Sequence, residues 1–191
     1  MPESRDLCPT SVSVSFFKGH ATRITGTVSM LTANHEHGGN GMIRKAKASD
    51  VKGIQQLIKL YSTRGDMLPR SLSELYDHIR DFYVSVRKGE VIGICALHVC
   101  WEDLAEIRSL AVKEEARNEG MGAKLVKSCL GESKSLGVKR IFALTYQPNF
   151  FEKLGFKKVD KSVLPHKIWT DCLKCVKFPD CDEVAVVKEL E

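Results

Sequence analysis

Apolar and polar residues alternate with a clear period from Met42 to the C-terminus, whereas residues 1–41 keep no sustained period. After Ser49, a candidate N-cap, apolar side chains recur at helical spacing and predict a first amphipathic helix. Ser71 and Glu74 have the spacing of a capping box in front of another apolar run. The pattern therefore predicts two consecutive helices near the start of the patterned region.

The remaining pattern predicts strands and two further helices. Arg87–Glu90 carries the glycine of a tight hairpin turn between two of the strands. The predicted strands are 43–45, 82–86, 91–99, 105–112, 138–146, 156–159 and 184–187, and the further helices are 120–136 and 148–154. The chain order β-α-α-β-β-β-α-β-α-β-β predicts a mixed α/β (α+β) fold without internal repeats, and a chain of 191 residues suits a single domain.

Residues 1–41 are predicted to form a disordered N-terminal extension. Their charges cancel, and Ser11–Phe17, which alternates like a strand, would have no neighbouring strand against which to bury a face. The segment matches neither a secretory signal nor a transit peptide. Because Met42 opens the first patterned segment, it is also a candidate for the natural start of the chain, with residues 42–191 as the domain.

The composition is that of an ordinary soluble globular protein, with 43% hydrophobic and 28% charged residues. No apolar run is long enough to span a membrane, so we expect no membrane partner. A net charge of +5 is too small an excess to indicate nucleic-acid binding, but it suits a small anionic ligand. Seven cysteines, an odd number without a secretory signal, favour reduced thiols in the cytoplasm over a disulfide framework.

The turn Arg117–Gly122 carries the most informative motif of the chain. It lies between a predicted strand and a predicted helix, where unpaired backbone amides and the helix dipole attract an anion. Gly120 and Gly122 allow close approach of a phosphate to the backbone, and Arg117 adds charge. The motif is neither a P-loop nor a three-glycine dinucleotide fingerprint, and an ordinary loop with two glycines remains the alternative.

Three segments together resemble the acetyl-CoA-binding core of the GNAT N-acetyltransferases. They are the strand Leu110–Val112, the turn Arg117–Gly122 and the segment Phe150–Phe156. The resemblance extends over residues 42–191. It implies the GNAT fold, in which a central mixed, mostly antiparallel sheet splays apart at the acetyl-CoA site and is flanked by helices.

Within this superfamily the chain resembles the amino-acid N-acetyltransferases, in particular the acetyltransferase domain of bacterial N-acetylglutamate synthases. The matching segments are Met67–Ser71, Glu106–Val112, Ala143–Thr145, Val159–Asp160 and Leu164–Pro165. The chain is similar to short, stand-alone members without an amino-acid-kinase domain. The resemblance implies acetylation of the α-amine of L-glutamate, the first step of arginine biosynthesis, in the cytoplasm.

The resemblance also implies acetyl-CoA as co-substrate and assigns the residues that hold it. Leu110, Ala111 and Val112 would offer main-chain hydrogen bonds to the pantetheine arm. The residues that would hold the pyrophosphate are Arg117, Asn118, Glu119, Gly120, Met121 and Gly122.

Direct transfer from thioester to amine requires a general base and a route for protonating the thiolate. Glu106 is the candidate base, acting through water, and a surface carboxylate paired with Arg108 is the alternative. Many relatives have a tyrosine in the short helix where this chain has Phe150–Phe151. Tyr146 is the candidate replacement, although it could equally pack or contact substrate, and solvent could protonate the thiolate.

A dicarboxylic substrate needs fixed cations, and Arg70 and Arg108 are the candidates because a guanidinium can bind a carboxylate bidentately. The alternative for either residue is a solvated surface arginine. The predicted partners are thus a small amino acid and acetyl-CoA, with a homodimer left open.

Three cysteines and a histidine gather near the C-terminus. His166, Cys172, Cys175 and Cys181 could hold a structural zinc ion, or the thiols could be free or form a redox-labile pair. Three other cysteines, Cys95, Cys100 and Cys129, fall on strand or helix patterns and are predicted to fill the core.

Two competing functions stay open at the level of sequence. One is a GNAT enzyme that acetylates another amine, on a protein or a small metabolite. The other is a non-catalytic module that senses acetyl-CoA, which the missing tyrosine suggests.

Overall fold

The computed structural model describes residues 41–164, 173, 177 and 180–191. The predicted disordered extension, residues 1–41, lies outside this range except for Gly41, so it stays a prediction. Within the described residues, the order of helices and strands is the one that the hydrophobic pattern predicts. The strands are β1 (Met42–Lys45), β2 (Phe82–Arg87), β3 (Glu90–Val99), β4 (Leu104–Val112), β5 (Arg140–Thr145), β6 (Lys157–Val159) and β7 (Val184–Glu189). The helices are α1 (Val51–Ser62), α2 (Leu72–Asp77), α3 (Met121–Ser135) and α4 (Pro148–Glu152).

The starts of the first two helices differ in how well the sequence predicts them. Ser71 accepts a hydrogen bond from the Glu74 amide at 3.2 Å and Glu74 accepts one from the Ser71 amide at 2.8 Å, so the capping box of α2 is confirmed. The prediction of Ser49 as N-cap of α1 is wrong, because Ser49 lies inside a short 3-10 turn. Asp50 occupies the N-cap position instead, and its carboxylate accepts from the Lys47 amide at 2.7 Å.

The strands form one sheet in the order β1-β2-β3-β4-β5-β7-β6. The pairing of β4 with β5 is parallel and all other pairings are antiparallel. One face of the sheet packs against α1 in a core that includes Ile54, Leu57 and Ile94. The opposite face packs against α3 and α4 in a core that includes Leu125 and Phe151. The predicted mixed, mostly antiparallel sheet between helices is confirmed.

The sheet opens between β4 and β5. Only Leu104–Glu106 of β4 pair with β5, and the rest of β4 diverges from it. A bulge accompanies the divergence, because the register with β3 shifts so that Ser109 and Leu110 together lie opposite Cys95. Ser109 adopts a φ of 52° there, which turns the strand out of the plane of its neighbour. The predicted splay is therefore built into β4 itself.

Two of the cysteines predicted to fill the core do so. Cys95 on β3 and Cys129 on α3 are fully buried with their sulfur atoms 3.5 Å apart, whereas Cys100 is only half-buried. No helix among the described residues is long and apolar enough to cross a membrane.

Candidate active site

A cleft of about 1170 Å³ opens where β4 diverges from β5. Its walls come from the end of α1 and the loop after it, the outer half of β4, the start of α3 and the end of β5. The predicted site residues that line it are Arg70, Glu106, Arg108, Leu110, Ala111, Val112, Arg117, Asn118, Gly120, Met121, Gly122 and Tyr146. Residues far apart in the sequence thus line the same cleft.

Glu119 is the predicted cofactor residue that the structure does not bring to the cleft. Its carboxylate forms an ion pair with the Arg87 guanidinium at the end of β2. An acidic side chain so close to a phosphate site would repel the ligand, and this pairing turns it away.

The turn before α3 has the backbone geometry of an anion site. Gly120 caps the helix with a φ of 72°, and Asn118 adopts a φ of 64°. A Cβ on Gly120 would have no neighbour within 4 Å, so glycine is required there by conformation rather than by space. As the N-cap, Gly120 has no side chain to cap the first turn of α3, whose amides therefore remain available at the cleft.

Arg117 is held by a tyrosine from another element. Its Nη2 atom donates to the Tyr61 hydroxyl at 2.9 Å, and its guanidinium lies 5.5 Å from the centre of the Tyr61 ring. The same hydroxyl donates to the carbonyl oxygen of Val112 at 2.5 Å. The cation of the turn is therefore tied to the end of β4.

Glu106 lies at the point where the sheet divides. It is opposite His98 on β3 and Phe142 on β5, and it is the last residue of β4 that pairs with β5. Its half-buried side chain lines the cleft. The position suits a base that reaches an amine entering between the diverging strands.

The two candidate arginines both line the cleft and are not solvated surface residues. Each side chain is only 16% exposed. Arg70 lies 3.8 Å from a carboxylate oxygen of Glu74, and Arg108 lies 3.6 Å from one of Asp81. The neighbouring carboxylates hold both mostly buried guanidinium groups in place at the cleft.

Asp81 is shared between Arg108 and two histidines. The same Oδ2 atom lies 2.9 Å from Nδ1 of His98 and 3.8 Å from Nδ1 of His78. Asp81, His78 and His98 lie close enough to one another to bind a metal ion together. A cation bound there would lie beside the Arg108 guanidinium, however, so the contacts favour a hydrogen-bonded ion-pair cluster.

Tyr146 lies just past β5, and its hydroxyl accepts a hydrogen bond from Lys177 Nζ at 2.9 Å. Burial raises the pKa of Tyr146 above its usual value, and Lys177 offsets part of that effect. The phenol is thus protonated at neutral pH and able to donate. Beside it, the pKa of Glu183 is raised, chiefly because burial removes solvent from the carboxylate.

Comparison with known proteins agrees with this geometry. Residues 53–156 match the model of the Acetyltransferase (GNAT) family. An uncharacterised N-acetyltransferase of Chlorobaculum tepidum is 44% identical over 78% of this chain and 96% of its own length. The chain belongs to the GNAT acetyltransferase family. The predicted activity class, an acyltransferase that uses acetyl-CoA, is confirmed.

Two further relatives of this acetyltransferase carry more specific names. An amino-acid acetyltransferase of Mycobacterium tuberculosis is 32% identical over 68% of this chain and 76% of its own length. The solved N-acetylglutamate synthase of Neisseria gonorrhoeae, in complex with coenzyme A and N-acetyl-glutamate, superposes with a TM-score of 0.72 at 28% identity. That match covers 78% of this chain and 35% of the synthase.

The C-terminal cysteine cluster of the acetyltransferase is described only in part. His166, Cys172 and Cys175 lie outside the described residues, so the zinc site stays a prediction. Cys181 is described, and its thiol lies 3.6 Å from a carboxylate oxygen of Glu183 at the edge of the cleft.

Sequence reasoning missed three side chains of this site. Tyr61 has the spacing of a buried helical residue, which conceals its hydroxyl contacts. Lys177 and Glu183 line the cleft but occur in a segment without a recognisable motif. The available signal was a polar tip on an otherwise apolar helix face for Tyr61, and a carboxylate directly before a strand for Glu183.

Proposed function

We propose that this acetyltransferase transfers the acetyl group of acetyl-CoA to the α-amine of L-glutamate. The observation that carries the proposal is that two mostly buried arginines, Arg70 and Arg108, line the same cleft as Glu106. Two fixed guanidinium groups match two carboxylates, and a carboxylate between the diverging strands matches an amine.

The cofactor has a matching place in the same cleft. The main chain of Leu110–Val112 would bind the pantetheine arm, and the turn Arg117–Gly122 would bind the pyrophosphate at the start of α3. This arrangement directs the thioester towards the acceptor end, where Glu106 lies.

The chemistry then needs one proton acceptor and one proton donor. Glu106 takes a proton from the ammonium through water, and the amine attacks the thioester carbonyl carbon. The carbon–sulfur bond breaks, and the Tyr146 hydroxyl donates its proton to the departing thiolate. The second proton leaves the attacking nitrogen to water, which returns a proton to Tyr146. The products are N-acetyl-L-glutamate and coenzyme A, without a covalent enzyme intermediate.

The names of the relatives support the acceptor class. The Mycobacterium tuberculosis protein is an amino-acid acetyltransferase, and the Neisseria gonorrhoeae synthase was solved with N-acetyl-glutamate. With this acceptor, the enzyme would supply the first step of arginine biosynthesis in the cytoplasm.

An acceptor screen tests the proposal directly. Purified enzyme with acetyl-CoA is offered each common amino acid, a lysine-containing peptide and buffer alone, and coenzyme A release is followed by thiol detection. We expect the highest kcat/KM with L-glutamate. A preference for the peptide or for a cationic amino acid would contradict the assignment.

Charge reversal at Arg70 tests the carboxylate contact. We expect Arg70→Glu to raise the KM for glutamate roughly tenfold to a hundredfold, the range expected for losing a charged hydrogen bond, without changing the KM for acetyl-CoA. Arg80→Glu is the matched control because Arg80 is exposed and does not line the cleft. An unchanged KM for glutamate in the Arg70 variant would rule out its role.

A further inference from the structure

Tyr61 connects the two parts of the cleft that the proposed function assigns to acetyl-CoA. It lies in the last turn of α1 and is 5% exposed, so its ring is part of the core. Its hydroxyl nevertheless reaches the wall of the cleft, between the end of β4 and the turn before α3. A tyrosine with a buried ring and a hydroxyl at a ligand site can transmit position from the core to that site.

The direction of each hydrogen bond follows from the chemistry of a phenol. A hydroxyl has one proton, and at 2.5 Å Tyr61 donates it to the carbonyl of Val112. Its oxygen then accepts from Arg117, whose guanidinium can only donate. One hydroxyl therefore pairs with a carbonyl at the end of β4 and orients the Arg117 guanidinium at the same time.

The Val112 carbonyl faces the cofactor side of β4. The amide of Lys113 donates to Ile92 on β3 at 2.8 Å, so the groups of Lys113 face β3. Because main-chain groups alternate along a strand, the amide and carbonyl of Val112 face the opposite edge, where β5 has diverged. The Tyr61 hydroxyl donates to the Val112 carbonyl, and the Val112 amide remains directed at the cleft.

A second cation, the Arg64 guanidinium, also lies near the Tyr61 ring. The Arg64 guanidinium lies 5.8 Å from the centre of the Tyr61 ring and pairs with Glu114 at 2.5 Å. Glu114 opens the short 3-10 turn that leads to Arg117. Two arginines thus lie near the ring, and both are linked to the segment that carries the phosphate turn.

We propose that Tyr61 is a positioning residue for coenzyme A, which it serves by fixing Arg117 to the pantetheine-binding end of β4. The inference rests on the proposed cofactor site but not on the identity of the acceptor. Arg117 keeps its remaining donors for the pyrophosphate while Tyr61 holds it in register with Val112. The phosphates and the pantetheine arm are then recognised as one unit.

The test is a double-mutant cycle on coenzyme A binding, measured by calorimetry without any acceptor. Tyr61→Phe retains the ring and removes only the hydroxyl, and we expect it to weaken coenzyme A binding about tenfold. In an Arg117→Ala background, we expect Tyr61→Phe to weaken coenzyme A binding less than about threefold, because Arg117, which the hydroxyl positions, is already absent. Tyr83→Phe is the matched control, since Tyr83 is a partly buried tyrosine outside the cleft.

The possible results of this cycle test different parts of the proposal. Equal losses from Tyr61→Phe in both backgrounds would overturn the positioning role, even if binding is weakened, because a purely structural effect is additive. Unchanged affinity in Tyr61→Phe would overturn it as well. If the wild type does not bind coenzyme A, the cofactor site itself is wrong. A glutamate-inactive enzyme that binds coenzyme A and shows the coupling would leave Tyr61 in its role and refute only the acceptor.

Discussion

Glu106 illustrates how position within a strand sets the role of a residue. It stands at the last register position that β4 shares with β5, so its backbone is held on both sides while its side chain meets the cleft. One residue further along, β4 loses its parallel neighbour. Rigid support beside open space is what a proton-transfer group requires.

We expect Glu106→Gln to lower kcat roughly 100- to 10,000-fold, because the amide cannot accept the ammonium proton. The KM for acetyl-CoA should stay unchanged, since the proposed function places Glu106 at the acceptor rather than at the cofactor. Steady-state kinetics across pH provide the measurement. In the variant, the rise of kcat/KM with pH that reflects deprotonation of the base should be absent.

Glu102→Gln is a suitable control, because Glu102 is an exposed glutamate on the loop before the same strand. A Glu106 variant with wild-type kcat would show that another group takes the proton. Glu183, whose pKa is raised by burial in the same cleft, would then be the first residue to test.

At the scale of elements, the N-cap of α3 and the interior of α3 each have a glycine, and the two have opposite requirements. Gly120 precedes its first turn in the left-handed region, with a φ of 72°, whereas Gly131 lies in the helix interior. A Cβ would meet nothing within 4 Å at either position. Any difference between the two substitutions to alanine therefore comes from the backbone rather than from crowding.

We expect Gly120→Ala to destabilise the protein by about 1–2 kcal/mol, the cost of a left-handed alanine, and to weaken coenzyme A binding as the turn relaxes. Gly131→Ala should instead stabilise it by about 1 kcal/mol, because alanine is the better helix former. Urea unfolding and calorimetric titration with coenzyme A measure both effects. Destabilisation of similar size in both variants would contradict the backbone explanation.

The elements also show where sequence patterns reach their limit. The capping box Ser71–Glu74 was predictable because both partners lie within one turn. The start of α1 was not, because Asp50 is selected by Arg44 on β1, which binds it through two hydrogen bonds of 2.6 and 3.0 Å. A local rule that prefers Ser49 cannot include that tertiary partner.

At the scale of the whole molecule, the Arg44 and Asp50 pair links the edge strand to the first helix and couples stability to pH. The hydrogen bond from Arg44 is the main cause that lowers the pKa of Asp50. The pKa of Asp50 in the folded protein therefore lies below its value in the unfolded chain, about 3.9, so the pair with Arg44 stabilises the fold fully at pH values above the unfolded pKa. This stabilisation is lost as pH falls through the folded value.

Asp50→Asn should therefore lower the free energy of unfolding by about 1–3 kcal/mol at pH 7, where the charged pair is intact. The gap between variant and wild type should narrow as the pH falls below the unfolded pKa, and it should close once the pH is below the folded pKa of Asp50, where the wild-type carboxylate is protonated as well. Urea denaturation at several pH values measures this. Asp66→Asn, at an exposed aspartate, should show no such gap, and a gap that widens in acid would refute the pairing.

The sequence by itself determined the order of the elements, the glycine turn before α3 and membership of the acetyltransferase family. These features are local, since hydrophobic period, capping and turn conformation depend on residues within a few positions of one another. Only the tertiary structure decided that Arg108 is ion-paired with Asp81 and that Glu119 pairs with Arg87, away from the cleft. It also decided that Tyr61 reaches both Val112 and Arg117. Those contacts join side chains that lie far apart in the sequence, so no pattern within one segment predicts them.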